Sequence, residues 1–378
     1  MRIAFLGLGK LGLPCAEVIA EKGHDVSGYD IKKCKTKNVY QFPSIKGAVQ
    51  GRDIVFIAVP TPHDPAYDGK APTSHLHPKD FDYNIAKEVV KEADKHMNKD
   101  QLLVLISTVL PGTVRSHIKP LITNSRFVYN PYLIAMGTVA WDMVNPEMVM
   151  IGTEDGSETG DANQLVDFYK TIMENDPRYV VGTWDECECI KVFYNTFIST
   201  KIGLVNMIQD VAETQGNIDV DVVTQALAES DKRIMGPSYM RAGMGDGGAC
   251  HPRDNIALRY LSEKLDLGYD LFGSIMHARE QQAKNMADSI LVFGKAVHFT
   301  SDSYKPGVEY TDGSYSLLVQ HYVKNLGGYI TNLQNAEVVV RVHPEDDIPE
   351  DKVIFDPWRQ NNSTIKYGNT RHLNKKVL

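Results

Sequence analysis

Met1-Arg-Ile-Ala-Phe-Leu6 is followed at once by Gly7-Leu-Gly9-Lys-Leu-Gly12, then by Leu13-Pro-Cys-Ala-Glu-Val-Ile-Ala-Glu21 and, past Gly23-His24, by Asp25-Val-Ser-Gly-Tyr-Asp30. The order is apolar run, glycine turn, helix-forming run and second apolar run, with an acid 18 residues past the last glycine. A bare GxGxxG is weak evidence, but between a strand and a helix it predicts a dinucleotide-binding βαβ unit. Gly7 permits the tight turn, Gly9 lets a pyrophosphate approach the backbone, and Gly12 lets helix and strand pack closely. Lys10 and Leu11 complete the turn, whose helix N-terminus would hold the phosphates. Asp30 is placed to bond the adenosine ribose diol. Its charge would repel a 2′-phosphate, so the expected cofactor is NAD, although Lys32 and Lys33 stand close by.

Strand-like and helix-like runs alternate downstream. Asp53-Ile-Val-Phe-Ile-Ala-Val59 ends in Pro60-Thr-Pro62, a polar loop covers 63–80, and a helical pattern covers 84–97. Leu102-Leu-Val-Leu-Ile106 ends in Ser107-Thr-Val-Leu-Pro-Gly-Thr113, and Phe127-Val-Tyr129 and Met148-Val-Met-Ile151 are further strands. This alternation predicts an α/β fold with a Rossmann-type, doubly wound parallel sheet. A long helical pattern over 185–215 suits a linker or dimer helix. Apolar runs at 295–299, 337–342 and 353–355, with a helical pattern over 314–326, predict a smaller, Rossmann-like α/β domain. The expected domains are 1–180 for NAD, 181–285 central helical, 286–360 a smaller α/β domain, and 361–378 a polar tail.

A 378-residue chain that is 43% hydrophobic can build two or three cores. Its net charge of −8 argues against a nucleic-acid or anionic-membrane surface. It has no apolar run long enough to span a membrane, and a first strand at residue 2 leaves no room for a signal peptide. The five cysteines, at 15, 34, 187, 189 and 250, show no regular spacing. Cys187-Glu-Cys189 lacks a second pair, and on a helix its thiols point apart, so no metal is expected. The reading is a cytoplasmic protein with reduced thiols.

Two features bear chemistry beyond the nucleotide motif. Gly243-Met-Gly-Asp-Gly-Gly-Ala-Cys250-His-Pro-Arg-Asp254 sets one thiol after four glycines and four residues before a carboxylate. Such a loop suits a nucleophile approached closely by its ligand; it equally describes a turn before a buried structural cysteine. Lys191 and Asn195 are spaced i, i+4 and share a helix face. A cation and an amide donor there can stabilise an oxyanion, though by spacing alone they also describe a solvated face.

Taken in order, Gly7-x-Gly9-x-x-Gly12, Val59-Pro-Thr-Pro62, Ser107-Thr-Val109, Asn130-Pro131, Glu188-x-x-Lys191-x-x-x-Asn195, Arg233-Ile, the loop to Cys250 and Asp254, Tyr304-Lys-Pro306 and Asp356-x-x-Arg359 resemble the UDP-glucose/GDP-mannose dehydrogenase family over nearly the whole chain. The resemblance implies oxidation of a nucleotide-sugar C6 alcohol to a carboxylate, UDP-glucose first among substrates, with two NAD consumed and a cysteine thioester formed. It implies a catalytic set of Cys250, Lys191, Asn195, Asp254 and Thr108. Cys250 would attack the aldehyde and Asp254 take a proton or orient Lys191, while Thr108 would orient a water. Lys191 or Arg253 would lower the thiol's pKa. Thr61, Ser107 and Thr108 join Gly7, Gly9, Lys10, Leu11, Gly12 and Asp30 as cofactor contacts. Lys191, Asn195, Arg233, Tyr239, Gly247, Lys305 and Arg359 form the substrate set. A homodimer is expected, with Arg233 reaching across it.

The departures from the family pattern fall together. Two glutamates usual after Asn-Pro are Tyr132 and Met136, and neither can act as a base near neutral pH. The lysine usual before the final aspartate is Arg253, and Asp246 and His251 replace aromatic residues. Gly307-Val-Glu-Tyr-Thr-Asp-Gly313 replaces an acid-and-arginine motif. The expectation is altered substrate choice or a weakened thioester hydrolysis, with His251 and Asp246 as candidate replacements for the base. Two rivals stand beside it: a hydroxyacid or 6-phosphogluconate-type dehydrogenase, opposed by Cys250 and the α/β C-terminal third, and a nucleotide-binding protein without turnover.

Overall fold

The computed structural model describes residues 1–67, 72–135, 137–236, 241–244, 250–307 and 311–369, without the side chains of Cys250, His251 and Arg253. Tyr239, Asp246, Gly247 and Met136 therefore lie outside the described residues. The chain divides into two compact units, Met1–Lys201 and Ile202–Leu378.

The first unit contains, in chain order, β1 (Arg2–Leu6), α1 (Gly12–Glu21), β2 (Asp25–Tyr29), β3 (Val39–Gln41), α2 (Ile45–Val49), β4 (Ile54–Ile57), α3 (Asn84–Lys95), β5 (Leu102–Leu105), β6 (Arg126–Tyr129), α4 (Val139–Val144), β7 (Met148–Thr153), α5 (Asp161–Lys170) and β8 (Arg178–Thr183). The strands form one sheet in the order β3-β2-β1-β4-β5-β6-β7-β8. Successive side chains on a strand point to opposite faces, and both faces are covered. Ile3 and Phe5 pack with Cys15, Ala16 and Ile19 of α1, whereas Ala4 and Leu6 pack with Ala48, Val49 and Val90 of α2 and α3. Burial on both faces is why these strands read as continuous apolar runs.

The doubly wound sheet is as expected except at one pairing. β6 and β7 run antiparallel, joined at Tyr129 and Gly152 alone, while β7 and β8 are parallel over six residues. The strand order reverses at β1, whose neighbours are β2 and β4. Ligands of such sheets bind beyond the carboxyl ends of the strands at that reversal.

The helix α6 (Trp184–Gln215) starts straight after β8 and runs 32 residues, in agreement with the pattern over 185–215. It crosses the division between the units, with Lys191 and Asn195 on the first side and residues 202–215 on the second. The second unit continues with α7 (Val220–Ala228), α8 (Cys250–Lys264), α9 (Leu271–Leu291), β9 (Ala296–Phe299), α10 (Tyr315–Asn325), β10 (Tyr329–Ile330), β11 (Val338–Val340), β12 (Ile354–Asp356) and β13 (Ile365–Lys366). Its strands form an all-parallel sheet in the order β10-β9-β11-β12-β13. Ala283, Met286 and Ile290 of α9 and Val319 and Val323 of α10 pack on Val297, Val338 and Val340. Because β13 pairs with β12, the chain past residue 360 contributes to this sheet.

Candidate active site

The glycine turn sits at the β1 reversal and distinguishes its three glycines. Gly7 has φ +99°, and a Cβ there would stand 2.5 Å from the Ala58 carbonyl oxygen. At Gly12 a Cβ would stand 2.0 Å from the Gly7 oxygen. Both positions therefore exclude any other residue. Around Gly9 a Cβ would meet nothing within 4 Å, so the backbone there is bare and open. No side chain caps α1, and its first turn carries no acid; the positive end of the helix is left for an anion. Asp30 closes the other side. Its carboxylate accepts Leu8 N–H at 2.8 Å and Lys32 N–H at 2.9 Å. These bonds fix it against the turn, and each oxygen keeps a lone pair for a hydroxyl.

The next two strand ends are tied across the same edge. Thr61 Oγ1 donates to the Thr108 carbonyl and Ser107 Oγ to the Val59 carbonyl, both at 2.6 Å. Both hydroxyls thus give their protons to the backbone and keep only acceptor lone pairs for a further partner. Thr108 is half-buried after β5.

α6 brings Lys191 to this unit. Its Nζ donates to the Tyr132 main-chain carbonyl at 2.7 Å, and burial lowers its pKa. Asn195, one turn on, is exposed. Tyr132, which stands where the family has a glutamate, turns its hydroxyl to within 2.9 Å of the Tyr169 hydroxyl. Tyr169 in turn donates to Asn130 Oδ1, and Asn130 Nδ2 donates to the Met150 carbonyl at 2.6 Å. Tyr169 has one proton and gives it to Asn130, so Tyr132 is the donor to Tyr169. Burial raises both phenols far above their ordinary range; Tyr132 is neutral and committed to the core.

One residue of this region carries a role that the sequence does not announce. Glu188 is fully buried and accepts Gly112 N–H at 2.5 Å and Val114 N–H at 2.6 Å. Burial pushes its pKa up to about 7, against the two N–H groups that pull it down. Its only sequence signal is its place three residues before Lys191, and acids on helices ordinarily face water. Cys187 is buried, with its thiol pushed up to about 12, and Cys189 is half-buried. Among the described residues no cluster of three or more ligand-type side chains is placed to hold a metal.

In the second unit, Cys250 is the first residue of α8 and Asp254 stands one turn later, exposed. The segment before the glycine loop rests on the Asp356–Arg359 corner. The Arg241 guanidinium lies 5.5 Å over the Trp358 ring. A Cβ at Gly243 would come within 2.1 Å of that ring. Arg359, at φ +63°, donates to the carbonyls of Ala242, Tyr367 and Pro357. It binds this corner to the chain leading to Cys250, and the structure gives that guanidinium a backbone role. Asp356 is buried, pairs with Arg341 at 3.3 Å and accepts Trp358 N–H at 2.6 Å. Arg233 and Lys305 are exposed.

Comparison with known proteins bears on both units. A model described as the UDP-glucose/GDP-mannose dehydrogenase family, NAD binding domain, matches residues 31–173, and that of the family's central domain matches 185–281. A UDP-glucose 6-dehydrogenase of Rickettsia felis is 24% identical over 365 residues, covering 87% of this chain and 77% of that one. A GDP-mannose 6-dehydrogenase of Pseudomonas aeruginosa is 28% identical over 327 residues, covering 77% and 71%. The solved ternary complex of GDP-mannose dehydrogenase from Pseudomonas aeruginosa has the same fold, with a TM-score of 0.82 at 22% identity over 94% of this chain and 96% of that chain. With its NAD-binding and central domains matched over more than half its length, the chain belongs to the UDP-glucose/GDP-mannose dehydrogenase family of NAD-dependent oxidoreductases.

Proposed function

We propose that the chain oxidises a nucleotide-sugar C6 alcohol to the carboxylate through a thioester on Cys250, with UDP-glucose as the first substrate to test. The observation that carries this reading is the half-buried Lys191 ammonium, which donates to the Tyr132 carbonyl in the same unit as the bare glycine turn. A cation held in a dry site stabilises a developing alkoxide far better than one in water. When bound, NAD accepts one hydride in each of the two oxidations. Gly7, Gly9, Lys10, Leu11 and Gly12 would hold its pyrophosphate, Asp30 its ribose, and Thr61, Ser107 and Thr108 the remainder.

Lys191 and Asn195 would hold the C6 oxygen as its proton leaves to Asp254 or a water. The Cys250 sulfur then bonds to the aldehyde carbon, and the carbonyl oxygen takes a proton. Oxidation of that adduct leaves a thioester, and water oriented by Thr108 breaks the C–S bond to release the acid and the thiol. Arg233, Tyr239, Gly247, Lys305 and Arg359 would contact the substrate, with Arg359 also holding the corner it binds.

The locked phenol of Tyr132 makes hydrolysis the slow step in this reading. No carboxylate stands at that position to activate water. The same feature supports a second reading, a protein that binds nucleotide sugar and stalls.

We assign the homodimer to α6, on which Phe193, Phe197 and Ile198 are exposed; apolar side chains left open to water along one helix suit burial against a second copy. The same reading places the protein in a reducing cytoplasm. No helix among the described residues is long and apolar enough to cross a membrane.

Mixing the protein with NAD and UDP-glucose and counting NADH per sugar and per active site tests the reading. Two NADH per sugar over many turnovers supports full oxidation. A burst near two per site, with sugar mass on Cys250, supports a stalled thioester. Absence of NADH with UDP-glucose, GDP-mannose and N-acetylated UDP-sugars alike would sink the dehydrogenase reading.

A further inference from the structure

The Ser107–Val114 segment holds Thr108 in place, and its far end is gripped by α6. Gly112 and Val114 give their N–H groups to one carboxylate, the buried Glu188, at 2.5 and 2.6 Å. Other ties reach the segment besides those of Thr61 and Ser107: the Tyr129 hydroxyl donates to the Ser107 carbonyl at 3.3 Å and the Thr113 hydroxyl to the Tyr83 hydroxyl at 3.4 Å. The Tyr83 hydroxyl accepts Leu110 N–H at 3.3 Å, and Arg115 bonds Asp185 Oδ2 at 2.9 Å and the Glu154 carbonyl at 3.0 Å. Arg115 is exposed and Asp185 half-exposed, whereas Tyr83 is buried. Glu188 differs in being a buried carboxylate that accepts two backbone N–H groups and in lying one turn before Lys191 on α6. A buried carboxylate accepting two backbone N–H groups makes strong, short bonds, and it is costly to leave any of them unmade.

We propose that Glu188 is a positioning residue for the oxidation: it locks the turn that carries Thr108 to the helix that presents Lys191 and Asn195. The inference rests on the reading of those three residues as reaction-site groups. The ties at Leu110 and Thr113 go to Tyr83, and those of Arg115 to Asp185 and Glu154; the two Glu188 bonds join the Gly112 turn to α6 one turn before Lys191. Because the two N–H groups need two acceptor oxygens, the lock is complete only when the carboxylate is ionised. Protonation turns one oxygen into a donor facing a donor. Groups around it act on that ionisation. Arg115 on the segment favours the charged form, while Asp185 on α6 opposes it together with burial. Tyr129 on β6 and Cys187 and Cys189 on α6 are the other titratable neighbours. Burial, opposed by the two N–H donors, puts that change near neutral pH.

Glu188→Gln keeps the volume and leaves one acceptor, so it should resemble the protonated form. Amide hydrogen exchange in peptides covering 107–116 should rise about tenfold, the loss of one charge-assisted bond, while peptides from β1, β4 and α5 keep their protection. kcat for NADH formation should fall about tenfold or more with KM for NAD unchanged. The wild-type kcat should drop as pH falls through 7, and the variant should be flat there. Unchanged exchange in 107–116, exchange rising evenly across the first unit, or a variant with wild-type kcat and the same pH limb would each overturn the proposal. Exchange is read on the protein alone. If wild type reduces no NAD with any nucleotide sugar, the dehydrogenase reading fails by itself and the exchange result still decides the lock.

Discussion

The Lys191 ammonium lies 2.7 Å from the main-chain carbonyl oxygen of Tyr132, and that residue's phenol points the other way, into the Tyr169–Asn130 chain. One residue thus supplies an anchor through its backbone and is withheld from chemistry through its side chain. A substitution at Tyr132 that preserves the main chain therefore leaves the anchor alone.

Tyr132→Phe should keep NAD reduction within about twofold of wild type and lower stability by about 1 kcal/mol, the worth of one buried hydrogen bond. Steady-state NADH assays with a denaturant melt of both proteins check this. A drop in turnover of a hundredfold would mean that the phenol takes part after all.

Lys191→Met should do the reverse. The thioether fills the same stem, and the amine bonds a neutral carbonyl, so the variant should fold and melt close to wild type. Its NADH formation should fall about a hundredfold or more, the usual effect of removing one oxyanion-stabilising donor. Wild-type turnover in a folded variant would remove Lys191 from the site.

The first βαβ unit was legible because its determinants are local. A strand, three glycines and an acid fall within thirty residues, and the structure returns each at the expected place. The direction of β7 was not legible, because an apolar run encodes burial and not polarity. It depends on a single pairing between Tyr129 and Gly152. Glu188 was also hidden: its partners Gly112 and Val114 lie 76 and 74 residues away, and sequence spacing cannot announce such a contact. The backbone partners of Arg359 were hidden too: left-handed backbone at that residue brings its guanidinium onto three carbonyls. Neither the φ nor the carbonyls are visible in a motif.

The glycine turn separates folding from binding. Gly12→Ala places a methyl 2.0 Å from the Gly7 oxygen, so the turn must open, and the expected product is a destabilised protein that binds no NAD. Gly9→Ala meets nothing within 4 Å and should melt as wild type does, yet bind NAD about tenfold or more weakly, because the methyl occupies the approach of the pyrophosphate. Thermal melts paired with NAD titration distinguish the two. Tight NAD binding by the folded Gly9→Ala protein would place the pyrophosphate elsewhere.

Glu188 also sets a direction for stability against pH. Its folded pKa is raised to about 7 from the ordinary 4.5, so in that window the folded state holds a proton that the unfolded chain has released. Its contribution is fully present below pH 4.5 and is lost as pH rises through 7. At about 1.4 kcal/mol for each tenfold change in the ionisation equilibrium, the difference is on the order of 3 kcal/mol. Glu188→Gln cannot ionise, so denaturant melts of the two proteins between pH 5 and pH 9 should diverge, wild type losing stability relative to the variant as pH climbs. Parallel curves would mean that the carboxylate is ionised at an ordinary pKa, held by its two N–H donors strongly enough to offset its burial. The lock would then be closed at every working pH, and the low-pH limb of the activity profile would have to come from another group.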